Sequence, residues 1–324
     1  MTEKHATVPR LEWLRFGSIY LVLALIQLKA KLLVTPYWFS ERLAFNHDLL
    51  LAFKYVNNEQ SRLLQFTIPE VLHGLFSVPI EDAYILQRWL FVFLAFLLFH
   101  VYLRKWFSAL VSFGGVCFLA AIMPLTYMNH LQESAPLLMV TFLGGLWAIR
   151  EKKNAVFALV LLIGALNNET VLILSSVYVF CRFTSWKWQD LRSLCIQTTL
   201  VSTPAWAAAA IIRWFTRHSE HIDNPWMLPK NLQSIGQDLL DAMYIPHWFA
   251  QTYLFPLFLF GAFWYFATRN WKQQDLFLRR ASLMIPLFVL AHLVTGMVEE
   301  SRLMIPLAFL LIPMGLLHLK ALNT

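Results

Sequence analysis

Long apolar runs dominate this chain and restrict the folds that it can adopt. A helix needs roughly 20 apolar residues to cross a hydrocarbon core about 30 Å thick. The sequence has long runs at Phe16–Val34, Tyr84–Leu103, Phe107–Leu125, Cys195–Ile212, Phe249–Thr268, Ala281–Val298 and Leu303–Leu319. Apolar residues make up 58% of the chain and charged residues 14%, whereas a soluble domain has about 45–50% and about 25%. The sequence therefore predicts an all-α, polytopic transmembrane helix bundle and argues against a water-soluble enzyme.

Three shorter apolar runs complete the pattern. One is Ala135–Ile149, and the other two, Ala155–Leu166 and Thr170–Cys181, flank the polar tetrapeptide Asn167-Asn168-Glu169-Thr170. A single helix through the last two runs would place the basic groups before and after it on opposite faces of the membrane. A broken pair of short half-helices keeps them on one face. We therefore predict about ten membrane passes, counting the two half-length ones.

Basic residues set the orientation, because Lys and Arg are enriched in cytoplasmic loops. With both termini in the cytoplasm, 16 of the 26 basic residues lie on the cytoplasmic side, eight on the other, and the remaining two, Lys29 and Lys31, in the first span. The net charge of +7 is thus explained by membrane topology, and no nucleic-acid partner is expected. Short cytoplasmic loops favour a multi-pass protein of the bacterial inner membrane.

The two longest extracytoplasmic segments are predicted at 35–83 and 213–248, within a single membrane domain that covers 1–324. The first contains amphipathic stretches at Leu49–Val56 and Ile68–Phe76, which suit helices lying in the membrane interface. Pro69 would fit the first turn of the second stretch. Because the cytoplasmic loops are short, we expect a functional site on the extracytoplasmic side.

The polar break at Asn168-Glu169 is the first candidate for chemistry. A carboxylate between apolar runs is costly unless it is paired or faces water, and broken helices are tolerated where they line a cavity. Glu169, with Asn168, is predicted to point into a substrate cavity. The alternative is a helix-breaking turn in which Glu169 is paired with an arginine.

A second candidate is Glu299-Glu300-Ser301-Arg302, between the last two spans. A guanidinium group binds phosphate oxygens in bidentate fashion, so Arg302 is a candidate phosphate ligand. The alternative for Arg302 is an ion pair with Glu169 or Glu299. Glu300 is counted among the substrate-binding candidates.

The remaining candidates lie in two other extracytoplasmic segments. In His47-Asp48, Asp48 is a candidate general base if an acceptor hydroxyl lies within hydrogen-bond reach; a helix cap or a solvated carboxylate is the alternative, and Glu41 and Glu59 compete for the role. His130 lies in the short turn before Pro136. All of these groups fall on the same predicted face, which suggests one site.

In its layout the chain resembles the integral-membrane GT-C type of glycosyltransferase. The likeness rests on three segments of this sequence: His47-Asp48 after the first span, Ala165-Leu166-Asn167-Asn168-Glu169-Thr170-Val171-Leu172 in the middle, and Glu300-Ser301-Arg302-Leu303-Met304-Ile305-Pro306 near the end. These enzymes use a lipid-linked sugar donor, many have an acidic residue in the first extracytoplasmic loop, and an arginine near a late span meets the donor phosphate.

The resemblance implies transfer of a sugar from a polyprenyl-phosphate donor to an extracytoplasmic acceptor. Asp48 would then deprotonate the acceptor, and Arg302, with His130, would stabilise the leaving phosphate. Glu169 would position the sugar or a bound divalent cation, and no other cofactor is implied. The family commonly has more spans and a paired acidic motif where this chain has Asp48. A transporter or a non-catalytic membrane subunit is therefore kept as the alternative.

Overall fold

The computed structural model of the protein describes residues 10–55, 58–127, 133–217, 226–241, 259–269, 271–296 and 301–322. Over these residues the chain is helical and contains no strand. Its α-helices, numbered here in chain order, are α1 (Arg10–Val34), α2 (Leu43–Leu51), α3 (Leu63–Phe76), α4 (Ile80–Leu103), α5 (Ala109–Ile122), α6 (Ser134–Arg150), α7 (Asn154–Asn167), α8 (Leu174–Arg182), α9 (Trp188–Thr216), α10 (Leu228–Asp241), α11 (Ala262–Arg269), α12 (Leu276–Ala281), α13 (Met284–Thr295) and α14 (Ala308–Leu322).

Six helical segments within the described residues are long and apolar enough to cross a membrane: Leu11–Val34, Ile80–Leu103, Ala109–Thr126, Trp188–Thr216, Leu276–Thr295 and Arg302–Leu322. Two shorter apolar helices, α6 and α7, accompany them. The predicted multi-pass helical membrane protein is supported by this set. The count of about ten passes is not confirmed, and most of the predicted run Phe249–Thr268 lies outside the described residues.

The two ends of the bundle are identified by polar contacts between helices. At one end, which we call the proximal end, Glu12 near the start of α1 accepts hydrogen bonds from Arg104 Nε (2.7 Å) and contacts His100 Nε2 (3.0 Å) at the end of α4. At the other end, the distal end, Arg88 near the start of α4 pairs with Glu133 just before α6. The neighbouring helices α1 and α4 therefore run in opposite directions, as expected for consecutive full spans.

The last helix, α14, occupies the centre of the bundle. Its Phe309 is fully buried and packs edge-on against Phe99 of α4, with ring centroids 5.4 Å apart, and against Phe142 of α6 at 6.2 Å. Aromatic pairs at these distances add to the stabilisation from buried area alone. The residues before α14, including Arg302, are thereby attached to a rigid element.

The break expected between Ala155 and Cys181 is present. Helix α7 ends at Asn167, a 3₁₀ turn covers Glu169–Ile173, and α8 begins at Leu174. The side chain of Asn168 accepts a hydrogen bond from Thr170 N (3.0 Å) and so caps the turn. Arg182 at the end of α8 donates to Asn154 at the start of α7 (3.0 Å), which shows that the chain returns to the proximal end.

The described part of the 35–83 segment lies against the start of α4 and the end of α9. A 3₁₀ turn at Asn58–Ser61 precedes α3, and α3 begins at Leu63, so Pro69 lies inside the helix. The prediction that Pro69 lies at a helix start is therefore wrong. Proline is tolerated inside α3 because the carbonyl that loses its usual backbone hydrogen bond accepts another one from a side chain. Proline has no N–H to offer the carbonyl four residues earlier, and that carbonyl, Gln65 O, accepts from Gln87 Nε2 of α4 (3.4 Å).

Helix α7 approaches the 3₁₀ turn closely at Gly164. A Cβ at this position would lie 2.8 Å from both Cγ atoms of the fully buried Val171, and a short branched side chain cannot move away. We predict that Gly164→Ala destabilises the protein by about 1–3 kcal/mol through overpacking, measured as a lower thermal unfolding midpoint in detergent. Gly114→Ala is the control, since nothing lies within 4 Å of its Cβ position; an equal loss in both variants would contradict this packing argument.

A second prediction concerns the proximal ion pairs. Burial alone would raise the pKa of the Glu151 carboxyl, but the hydrogen bonds and charges of Lys105 (2.9 Å) and Arg150 (3.0 Å) outweigh burial and hold that pKa below its ordinary value. A carboxyl with a lowered pKa stabilises the fold above its unfolded pKa of about 4.3, and the stabilisation is lost as the pH falls through the folded value. The wild type should therefore unfold at a higher temperature than Glu151→Gln near neutral pH, and the difference should shrink below about pH 4. A difference that does not depend on pH would contradict this assignment.

A cationic cavity at the distal end

A small cavity at the distal end is lined by three basic side chains. Lys31 of α1, Arg88 of α4 and Arg302 before α14 come together there, with a cavity volume of about 40 Å³. A cavity of this kind needs about 10–15 Å³ to hold one water molecule, so the space suits a few waters or one small anionic group. The rest of the lining is Met123, Thr126, Tyr127, Ala135, Pro136, Leu138, Met139, Ile305 and Pro306.

Lys31 reaches the cavity from the last turn of α1 and is almost completely buried. Its Nζ donates to the carbonyl oxygen of Tyr127, which follows α5, over 3.4 Å. The Tyr127 hydroxyl donates in turn to Gln27 Oε1 (3.0 Å), and Gln27 Nε2 donates to Ala120 O (2.8 Å). Burial raises the pKa of the Tyr127 hydroxyl despite the nearby charge of Arg88, so this hydroxyl remains a hydrogen-bond donor. These contacts fix the distal parts of α1 and α5 relative to each other.

Arg88 is held by a bidentate ion pair in the apolar interior. Its Nε and Nη2 donate to the two carboxylate oxygens of Glu133 at 2.7 and 3.0 Å, and the side chains are 5% and 0% exposed. The guanidinium carbon also lies 5.5 Å from the ring centre of Tyr127. A buried arginine is strongly disfavoured without such a partner, so Glu133 is what allows Arg88 to line the cavity.

Arg302 enters the cavity from the 3₁₀ segment Ser301–Leu307, which leads directly into the central helix α14. Of the carboxylates nearby, Glu133 is paired with Arg88 and Glu59 lies 3.6 Å from Arg62 Nη1. Among the described residues, the lining of the cavity itself contains three basic side chains and no carboxylate. This lining favours an anionic ligand.

A second polar group at the distal end is a chain of three side chains across α2, α3 and α4. His47 is buried, and its Nδ1 lies 3.0 Å from the Tyr84 hydroxyl while its Nε2 lies 2.9 Å from Glu70 Oε2. One neutral tautomer satisfies both contacts, with Nε2 donating to Glu70 and Nδ1 accepting from Tyr84. The Glu70 carboxylate is 45% exposed, so the buried pair orients a carboxylate that remains accessible. The next residue, Asp48, is exposed on α2.

Glu169 is held in a third environment. Its carboxylate forms a bidentate ion pair with Arg213 near the end of α9, through Nε and, at 3.0 Å, Nη2. Both side chains are about one third exposed. The sequence allowed two interpretations of Glu169, and a pair with an arginine was one of them. The partner in the structure is Arg213 and not Arg302. Glu169 and Asn168 do not line the cationic cavity; Asn168 is buried and its Nδ2 contacts Ser134 Oγ at 3.4 Å.

Two predicted site residues, His130 and Glu300, lie outside the described residues, as does Glu299. Of the others, Arg302 lines the cavity, while His47, Asp48, Asn168 and Glu169 lie elsewhere at the distal end. These described residues share one end of the bundle, but they are divided among separate polar groups and do not form the single site that the sequence suggested.

Sequence reasoning did not select Lys31, Arg88 or Glu70. Lys31 and Arg88 did carry a signal, because each lies inside an apolar run, where an ionisable side chain is a functional candidate by default. Glu70 gave no such signal, since its role depends on a contact with His47, which is 23 residues away in the chain.

Neither the sequence nor the fold gives a match to a protein-family model, a curated protein or a solved structure.

The ion pair between Arg88 and Glu133 leads to a prediction about the stability of the protein. Glu133→Gln removes the charge that compensates buried Arg88 and should destabilise the protein by about 3–5 kcal/mol. Glu169→Gln is the matched control, because its pair with Arg213 is partly exposed and such pairs contribute about 0–1 kcal/mol. Unfolding in detergent, followed by circular dichroism, measures both. If the two variants lose equal stability, Arg88 does not depend on Glu133 as described.

Proposed function

We propose that this chain is a membrane glycosyltransferase of the GT-C type, which moves a sugar from a polyprenyl-phosphate donor to an extracytoplasmic acceptor. The observation that carries this proposal is the convergence of Lys31, Arg88 and Arg302 on one small cavity with otherwise mostly apolar walls. A lipid phosphate carries its anionic group on an apolar tail, and the cavity offers three basic side chains to the phosphate within mostly apolar walls.

In this proposal the donor phosphate binds at the cavity. Arg302 and Lys31 interact with its oxygens, and Arg88 contributes charge from a position fixed by Glu133. During transfer the bond between the sugar C1 and the phosphate oxygen breaks, and its electron pair stays on the phosphate. Cations that are already in place where this charge develops lower the barrier, because they do not have to reorganise during the reaction.

The acceptor side of the proposal uses a carboxylate of the 35–83 segment. The acceptor oxygen forms the new bond to C1, and its proton passes to the carboxylate. Asp48 is exposed on α2 and accessible for this role, and Glu70 competes with it because His47 fixes its orientation. The experiment below separates the two.

In this proposal Asn168 and Glu169 also contribute to the site, from the break between α7 and α8. Asn168 caps the 3₁₀ turn, and Glu169 interacts with the donor sugar from its position beside Arg213. The sequence left open whether Glu169 positions a bound divalent cation. Within the described ranges no group of three or more His, Cys, Asp or Glu side chains can hold a metal ion, so no described residue is assigned to it. His130 and Glu300 remain proposed substrate ligands.

We further propose that the distal end is extracytoplasmic, that both termini are cytoplasmic and that the membrane is the bacterial inner membrane. The positive charge on the proximal side supports this orientation. In a background that lacks Cys117, Cys181 and Cys195, a membrane-impermeant maleimide applied to intact cells should label Asp82→Cys at the distal end. It should not label Lys187→Cys at the proximal end until the cells are opened. The reverse pattern would overturn the orientation.

A non-catalytic membrane subunit or a transporter is the alternative function. The observation in its favour is that Arg88 and Glu133 neutralise each other in the interior, as a purely structural pair would. The cavity itself argues for a ligand, since Lys31 and Arg302 also line it.

The test is sugar transfer by the purified full-length protein from a labelled polyprenyl-phosphate sugar to membrane lipid and protein acceptors. Arg302→Ala should lower turnover by about 10²–10³-fold, as expected for loss of a group that stabilises the developing charge. Arg192→Ala, an exposed arginine on the proximal half of α9, should leave turnover unchanged. Asp48→Asn and Glu70→Gln, compared at several pH values, identify the base as the one whose loss removes the acidic limb of the pH profile. Unchanged turnover in Arg302→Ala and Asp48→Asn together would refute the assignment.

A further inference from the structure

A second, larger concavity lies at the distal end of α9, and none of its lining residues lines the cationic cavity. Its volume is about 380 Å³, and it is lined by Phe53, Leu63, Ile212, Phe215 and Thr216. Two residues come from the 35–83 segment and three from the last turns of α9. We call it the α9 groove.

The walls of the α9 groove are mainly apolar. The one polar side chain among its five lining residues is Thr216, whose hydroxyl donates to Ile212 O of the same helix (3.0 Å) and is therefore already satisfied. Phe53 adopts a left-handed backbone conformation (φ 54°) and packs edge-on against Phe66. Phe53 and Phe215 are nonetheless 53% and 67% exposed, so the groove is an open apolar surface. The same turns of α9 expose Ile211 and Trp214, which suits a helix that meets lipid.

The groove is open and is lined by only a few apolar side chains. A flexible hydrocarbon chain fits, since burying its methylene groups against the aromatic walls is favourable by about 0.8 kcal/mol for each.

Charges at the rim point to the headgroup. Lys54 follows Phe53 and is exposed, Arg213 and Arg217 flank Phe215, and Arg217 lies over the Trp214 ring at 5.0 Å. Arg213 is paired with Glu169. Among the described residues, Lys54 and Arg217 are exposed cations beside this apolar surface, a combination that complements a lipid with a phosphate group.

We propose that the α9 groove is a binding site for one acyl chain of an anionic phospholipid, with its headgroup at the Lys54, Arg213 and Arg217 rim. The groove shares no lining residue with the cationic cavity, although Arg213 at its rim pairs with Glu169, which the proposed sugar transfer uses. Ile212 forms the floor and is buried, whereas its neighbour Ile211 points away and is exposed.

The test is photocrosslinking of the full-length protein in neutral phosphatidylcholine nanodiscs that contain a trace of phosphatidylglycerol with a diazirine in its acyl chain. Peptide mapping should find adducts at Phe53, Leu63 or Phe215. Ile212→Trp, which fills the groove, should lower labelling of these peptides about tenfold, equivalent to about 1.4 kcal/mol. Ile211→Trp is the matched control and should label as the wild type does.

Competition and charge variants test the headgroup. Unlabelled phosphatidylglycerol should compete, and Lys54→Glu should weaken labelling without changing the fold, which the unfolding temperature checks; Lys187→Glu at the proximal end is its control. Equal labelling of Ile212→Trp and Ile211→Trp would overturn the site. Absence of adducts in the wild type would overturn it as well, since the groove is then closed by the chain itself. Stronger competition by a polyprenyl phosphate than by phosphatidylglycerol would overturn the assignment to phospholipid.

Discussion

The burial of basic side chains at one end of an apolar bundle is the constraint on which the distal architecture depends. Lys31 and Arg88 lie within helices long enough to cross a membrane, where an uncompensated charge costs several kcal/mol. Glu133 compensates Arg88 through two short hydrogen bonds, and Lys31 bonds to the Tyr127 carbonyl. The positions of α1, α4, α5 and the start of α6 follow from these contacts.

The central helix extends this constraint to the end of the chain. Phe309 packs against both α4 and α6, and Arg302, in the segment before the same helix, lines the same cavity as Lys31 and Arg88. The distal end therefore contains a cationic site, a half-exposed carboxylate oriented by His47 and, at the end of α9, an apolar groove. The proposals above assign these to the donor phosphate, to the acceptor and to a membrane lipid.

The sequence was sufficient for features that depend on local composition. Apolar runs predicted the helical membrane bundle. The basic groups before and after the runs that flank Asn167-Asn168-Glu169-Thr170 predicted the broken helix, because a single helix would place them on opposite faces of the membrane. The sequence could not show which side chains, distant in the chain, are in contact in the fold. Arg213 was counted only as a basic residue of an extracytoplasmic segment, yet its position at the end of α9 brings it to Glu169. Pro69 was misplaced because no local pattern shows that Gln87 compensates the lost hydrogen bond. Lys31 and Arg88 were noted in the count of charges, but the rotation of two helices decides that both face the same cavity.

The most direct measurement of the central claim is equilibrium binding of two matched amphiphiles, farnesyl phosphate and farnesol, to the purified protein at several salt concentrations. The account predicts that the phosphate binds more tightly than the alcohol, that its affinity falls as salt increases, and that this preference disappears in Arg302→Ala while it persists in Ile212→Trp. Equal affinity for the phosphate and the alcohol in the wild type would show that the cavity lined by Lys31, Arg88 and Arg302 does not recognise phosphate.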